Sequence, residues 1–384
     1  NDAAALFKDA KEERHHHNHH RIELCEPGND NRRKSDAARH RGRQRNIGAG
    51  CLQHAADSGD RAAQKHGADD FLSLSDIPES LRSYLAANAS IAMPKVIERQ
   101  TSAAEDTVKL LLELADGERI EMVLMLYERW QAHNRATCCV SSQSGCAMNC
   151  RFCATALHEH FRNLTAGEIV AQVQIADKLA YEMGFAGITN IVYMGMGEPL
   201  ANFAAVKKSL ELLNDEDGMN IGMRRITVST CGIVPKIREM ASWGYQIGLA
   251  VSLHAADQEL RRQLMPGAAH YPLDELIDAC KYYREKSGRR VTAEYALFAG
   301  INDKPSDALK LANLLTETDI LVNIIPANPL PEAGIKPPEE AVITAFCHLL
   351  QEKGLSVQLR RKRGADIQAA CGQLRRRQEA EEKS

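Results

Sequence analysis

Cys146, Cys150 and Cys153 stand at C-x3-C-x2-C spacing in the stretch Gly145-Cys146-Ala147-Met148-Asn149-Cys150-Arg151-Phe152-Cys153-Ala154-Thr155, directly after the strand-like run 136–142. Thiolates are soft ligands that suit iron–sulfur clusters and zinc. The spacing lets three sulfurs reach three corners of a cube without a partner from elsewhere in the chain. A 4Fe–4S cluster normally takes four cysteines, so three from one loop leave one iron open to a substrate. Structural zinc wants four closed ligands, usually as two separated pairs, and His158 and His160 stand close enough in sequence to supply a fourth. The single compact triad favours the open-cornered cluster over zinc.

Gly197-Glu198-Pro199 is the next candidate, because glycine permits close backbone approach and a carboxylate pairs with an amino group. Alone it would read as an ordinary strand-end turn, and His254 alone as a satisfied core histidine. Neither stands alone. Cys139-Val140-Ser141-Ser142-Gln143-Ser144-Gly145-Cys146, Gly195-Met196-Gly197-Glu198-Pro199-Leu200, Val251-Ser252-Leu253-His254-Ala255 and Ala369-Ala370-Cys371-Gly372-Gln373-Leu374 occur in this order. With Phe152 just before the third cysteine, these segments resemble the RlmN/Cfr family of radical S-adenosylmethionine (SAM) enzymes. The resemblance runs from Asp70 to Leu374.

That resemblance implies a methyltransferase acting on an adenine ring carbon of RNA. The carbon would be C2 in 23S rRNA, with tRNA as a second substrate, or C8 in the Cfr branch. It implies a 4Fe–4S cluster held by Cys146, Cys150 and Cys153, with SAM on the free iron and two SAM molecules consumed per turnover. Gly197, Glu198, Ser229, Ser252, Leu253, His254 and Asn328 would contact SAM. Cys371 would be methylated by one SAM, and the radical cut from the second would take a hydrogen from that methyl. The methylene radical would add to adenine, and Cys139 would release the product by forming a disulfide with Cys371. Glu121, in Ile120-Glu121-Met122-Val123, matches the glutamate that takes the C2 proton. Several extra residues separate it from Cys139, and Glu118 stands close by. A flavodoxin or ferredoxin would donate the electron to a monomeric enzyme.

The chemistry explains why such machinery is needed. Adenine C2 and C8 are electron-poor and attack the SAM methyl badly, so a radical route, supplied by a cofactor and positioned by protein, becomes reasonable. A thiolate such as that of Cys371 is by contrast a good nucleophile. Cys231, Cys280 and Cys347 read as packing thiols. Cys138 should face the side of its strand opposite Cys139. Two stretches depart from the family pattern: Ala156-Leu157-His158-Glu159-His160-Phe161 and Gly267-Ala268-Ala269-His270.

The elements that must position these residues alternate regularly. Strands are predicted at 137–141, 190–193, 225–229, 247–252, 290–296, 321–325 and 356–359, and helices at 166–183, 203–214, 234–242, 273–287, 306–316 and 339–353. Such repetition means parallel strands with crossover helices, and a barrel places its chemistry at the C-terminal strand ends. The motifs fall there. Periodicity alone does not separate a part-barrel from a full barrel or a doubly wound sheet; the family resemblance implies an α/β fold with a (βα)6 partial barrel. Ahead of it, 96–100, 107–112 and 119–124 alternate like strands, with Gly117 in a turn, after a short capped helix near Leu81–Leu85. These segments predict a small β-rich lead-in.

Residues 1–68 are rich in Arg, His, Asn, Asp and Gly, which predicts a disordered N-terminal tail. The expected layout is that tail, an accessory region at 69–131, the radical SAM core at 132–364 and a C-terminal segment at 365–384. The 384 residues carry a formal charge of −3, so RNA contact must come from local basic runs: Arg360-Arg361-Lys362-Arg363 first, Arg375-Arg376-Arg377 second. Eleven cysteines argue for metal or redox chemistry over a disulfide framework. No secretory pattern and no long apolar run stand out, which predicts a cytoplasmic protein that does not enter membranes. From a different class, a zinc-stabilised RNA-binding protein without catalysis fits the same loop.

Overall fold

The computed structural model describes residues 71–75, 78–88, 93–128, 134–157, 161–360, 366–367 and 374–375. The 1–68 segment, His158, His160, Arg361–Arg363 and Cys371 lie outside the described residues. The chain divides into two compact units, one taking in Asn1–Ile91 with Asp217–Met219, the other Ala92–Glu216 with Asn220–Ser384. In the first, helix α1 (Glu79–Asn88) begins after Pro78, whose carbonyl accepts from the N–H groups of Leu81 and Arg82.

The second unit is built on one ten-stranded sheet whose spatial order is its sequence order. Strands β1 (Lys95–Thr101), β2 (Thr107–Glu113) and β3 (Arg119–Tyr127) form an antiparallel meander. Gly117 turns β2 into β3 with φ 84°, a conformation that suits glycine. β3 then pairs antiparallel with β4 (Arg135–Cys139), so hydrogen bonding runs without a break from the lead-in into the barrel.

From β4 onward all pairing is parallel, through β5 (Asn190–Tyr193), β6 (Ile226–Thr230), β7 (Gly248–Ser252), β8 (Val291–Leu297), β9 (Leu321–Pro326) and β10 (Val357–Leu359). The crossovers carry α2 (Ala166–Glu182), α3 (Phe203–Asn214), α4 (Val234–Ala241), α5 (Gln258–Leu264), α6 (Leu273–Ser287), α7 (Pro305–Leu315) and α8 (Glu340–Glu352). Six parallel strands, β4 to β9, with helices between them are the expected (βα)6 part-barrel. Burial alternates along β5, β6 and β9, where Ile191, Val228, Val322 and Ile324 are buried and the residues next to them within the strand are half-buried or polar. α2 starts at a full capping box between Thr165 and Glu168, which fixes where the chain leaves the cysteine loop. Among the described residues no helix is long and apolar enough to cross a membrane.

Candidate active site

The C-terminal ends of the parallel strands open onto a cavity of about 310 Å³. Cys146, Cys150 and Cys153 line it from the loop after β4, and Gly197 and Glu198 from the loop after β5. Ser229, Ser252, His254 and Asn328 complete the ring from β6, β7 and the segments after β7 and β9. Nine of the residues singled out in the sequence therefore share one cavity wall.

The cysteine loop has no regular structure and is held by its neighbours. Arg151 N–H donates to the Leu264 carbonyl at 2.9 Å, and Gly267 N–H to that of Met148 at 3.1 Å. Phe152 stacks on Phe298 at 5.0 Å between ring centroids and meets His254 edge-on at 4.7 Å. Burial pushes the Cys146 thiol up to about 12 and that of Cys150 well above its usual range; both also feel Cys153. Such thiols become anions when a metal takes the proton's place. Among the described residues no three Cys, His, Asp or Glu side chains close on a single point as one ion demands. A 4Fe–4S cluster takes its protein ligands from cysteine thiolates. The three soft donors on one wall fit that group.

Glu198 knits two strand-end loops together. Its Oε1 accepts from Leu200 N–H at 3.0 Å and its Oε2 from Cys231 N–H at 2.7 Å, while its own N–H donates to Gln143 Oε1 at 2.8 Å. Burial pushes its carboxyl above the ordinary value, against the pull of the Cys231 and Thr230 donors. Gly197, at φ 100°, must be glycine twice over: a Cβ there would stand 2.6 Å from Gln143 Cβ.

His254 adopts φ 53°, unusual for a side chain of its size. Its Nδ1 accepts from Ala296 N–H at 2.9 Å, which leaves Nε2 as the ring donor. Burial, with Arg261 nearby, holds the imidazole down to about 3, so it is neutral. Asn302 fixes the turn: its amide donates to the carbonyls of His254 and Ala296 and accepts from Phe298 N–H. Leu253 is buried and does not line the cavity; its N–H bonds the Glu294 carbonyl at 2.9 Å.

The two remaining strand residues lie on the neighbouring antiparallel face. Cys139 pairs with Val123, which pairs with Lys109, and Glu121 is two residues along β3, so all four side chains share one face of the sheet. Cys138 takes the other face, toward Asp177 of α2, and burial pushes its thiol far up. Neither Cys139 nor Glu121 lines the cavity. Glu121 Oε2 pairs with Lys109 Nζ at 2.9 Å, both side chains fully buried, and Oε1 accepts from Arg375 N–H at 2.8 Å.

Arg375 corrects one expectation. It is not a solvated phosphate contact but is buried, its guanidinium donating to the carbonyls of Arg119 and Ser144 and reaching Glu118. Arg360 does line the cavity. Residues that sequence reasoning passed over are Lys109, Arg261, Glu294, Asn302 and Asn323. Glu294 lines the cavity from β8, buried and raised by that burial, and accepts from Asn323 Nδ2 at 2.8 Å. An acidic residue inside a parallel strand was the signal available.

A part-barrel with three loop cysteines over its strand ends defines a radical SAM protein, and residues 140–312 match the radical SAM superfamily. The similarity narrows further. A Moorella thermoacetica protein named probable dual-specificity RNA methyltransferase RlmN is 50% identical over 303 residues, 79% of this chain and 85% of the relative. One of the same name from Clostridium acetobutylicum is 44% identical over 311 residues, 81% and 88% of the two chains. The crystal structure of a radical SAM methyltransferase from Sphaerobacter thermophilus superposes with a TM-score of 0.79 at 42% identity, covering 86% of this chain and 95% of that one. The chain belongs to the RlmN family of radical SAM RNA methyltransferases.

Proposed function

We propose that this enzyme methylates C2 of an adenine in 23S rRNA, with tRNA as a second substrate, by way of a methyl group carried on Cys371. The observation that carries the reading is the shared cavity. Three thiols of the cysteine loop stand on one wall, and Gly197, Glu198, Ser229, Ser252, His254 and Asn328 arrive from four further strand ends. Cys146, Cys150 and Cys153 would hold the 4Fe–4S cluster, which when bound supplies one electron to the sulfonium of SAM.

The chain's own residues divide the remaining work. Glu198, on the cavity wall, takes the amino group of SAM. Ser229 and Ser252 offer hydroxyls to its polar parts, His254 offers Nε2–H, and Asn328 closes the far side. Phe152, stacked on Phe298, sets the slope of the loop and shields the thiols from water. Cys371 takes a methyl group by displacement, its thiolate attacking the methyl of one SAM while the sulfonium leaves as a neutral thioether. A second SAM is consumed in delivering that carbon to adenine. The Cys139 thiolate then attacks the Cys371 sulfur, so that an S–S bond forms as the S–C bond to the adenine-bound carbon breaks, and that carbon takes a proton to become the methyl group. Support for this pairing comes from strand register, which sets Cys139 on the same face as Glu121, where Arg375, four residues past Cys371, is tied. Glu121 is the proposed acceptor of the C2 proton, its carboxylate addressed by both Lys109 and the C-terminal segment. A flavodoxin- or ferredoxin-type donor, a monomeric state and a cytoplasmic location complete the proposal.

Anaerobic reconstitution with iron and sulfide, incubation with SAM and rRNA, and mass spectrometry of the nucleosides test it. 2-Methyladenosine is the expected product. 8-Methyladenosine would move the enzyme to the Cfr activity, and unmodified RNA with an intact cluster would overturn the reading.

A further inference from the structure

Among the described residues Arg261 is the largest fully buried side chain. It projects from α5 with two bonds, Nη1 to the Ala268 carbonyl at 3.0 Å and Nη2 to the Cys231 carbonyl at 2.6 Å, while its Nε is buried without a partner. Among the described residues no carboxylate pairs with it. Glu198 accepts from the N–H of the same Cys231, which belongs to the preceding peptide group. A guanidinium removed from water without a counter-anion is costly, and a site keeps one only where negative charge is supplied.

The surroundings identify that charge. The segment following Arg261 is moulded to the cysteine loop: Leu264 accepts from Arg151 N–H, and Gly267 donates to Met148. A Cβ on Gly267 would stand 2.7 Å from the Met148 carbonyl oxygen, so the two segments touch backbone to backbone. Leu264, Met265 and Ala268 pack in one cluster with Cys231, Met148, Cys150 and Phe152. Burial lowers the affinity of the guanidinium for its proton, and the groups acting against that are all thiols, those of Cys231, Cys150 and Cys280.

We infer that Arg261 is a fixed buried counter-cation to the metal-bearing thiolate loop, a positioning residue that raises the reduction potential of the cluster held there. This inference rests on the cluster reading above. Each electron added makes a thiolate-ligated cluster more negative, and net charge and burial are what set such potentials. A positive charge in a water-excluded site favours the reduced form, without touching SAM or RNA. It also lets a one-electron donor protein of modest potential charge the cluster before substrate arrives.

The test is a dithionite titration of reconstituted wild-type, Arg261→Gln and Arg261→Lys proteins, followed by EPR. Gln keeps donors toward Ala268 and Cys231 but loses the charge. Lys keeps the charge. At fixed ambient potential the Gln variant should shift the reduced-to-oxidised ratio at least tenfold toward oxidised, about 59 mV for one electron, and Lys should stay near wild type. Should the Gln variant fail to fold, Cys280→Asp, which keeps Arg261 but sets a carboxylate beside it, should give the same shift. Equal ratios in wild type and in whichever of the Gln or Asp variants folds, or the same shift in Gln and Lys, overturn the inference. Absence of any cluster signal in wild type would instead strike the cluster reading itself.

Discussion

The backbone N–H of Arg375 donates to Glu121 Oε1 at 2.8 Å, joining residues 254 positions apart. Asp366 accepts from Ala103 N–H at 2.7 Å. Cys371 therefore lies in the chain between two tied points, and a fully extended chain of four residues reaches only about 14 Å from the second. Arg375→Ala removes the bonds to Arg119, Ser144 and Glu118. Methyl transfer should fall at least tenfold with iron content unchanged, and limited proteolysis should cut the C-terminal segment faster. Unchanged proteolysis alongside full activity would show the tie to be incidental.

Lys109 and Glu121 form a buried ion pair, and breaking one differs from replacing both. Lys109→Met should cost about 3–5 kcal/mol by leaving a buried carboxylate without its cation, whereas Lys109→Met with Glu121→Leu should recover much of that loss. Urea unfolding of the two variants measures the difference. Additive losses would mean that the pair is not coupled.

His254 gives the protein a pH signature. Its native value of about 3 lies below the ordinary 6.5, so on acidification the unfolded chain takes up a proton that the folded protein refuses. Stability should therefore fall as pH drops from 6.5 toward 3, by about 1.4 kcal/mol per unit from this group alone. His254→Asn tolerates the positive φ and removes the titration. Its unfolding free energy should show a slope shallower by that amount between pH 6 and 4, and a slope equal to wild type would place the imidazole in water.

Adjacent thiols should separate sharply. Cys138→Ala removes a buried packing group and should cost about 1–2 kcal/mol while leaving methyl transfer intact. Cys139→Ala, one residue on and across the sheet, should leave the fold standing and trap a protein–RNA adduct visible by denaturing electrophoresis. Activity lost in Cys138→Ala and kept in Cys139→Ala would reverse the assignment.

Much of this was legible in the sequence, for identifiable reasons. Strand and helix candidates alternate regularly along the sequence, so each barrel strand lies within two residues of its expected place. The loop cysteines were readable from their spacing, and Glu198 and His254 only through the motifs of a family resemblance; the strand ends bring all five to one cavity. α5 was not anticipated: seven residues with two arginines and only Leu260 and Leu264 apolar give a weak signal, and only tertiary packing buries Arg261 completely. Arg375 was misread because a run of three arginines looks solvated, and the carbonyls of Arg119 and Ser144 that draw it inward lie far away in sequence. Lys109, in a strand of leucines, gave no sign that its partner was Glu121.

The central claim is that a thiol near the C-terminus carries the carbon that RNA receives. Peptide mass spectrometry through a single turnover tests it most directly: Cys371 should carry one methyl group before RNA is added and lose that carbon as methylated adenine accumulates. If Cys371→Ala modifies RNA at the wild-type rate, the methyl travels by another route and the account is wrong.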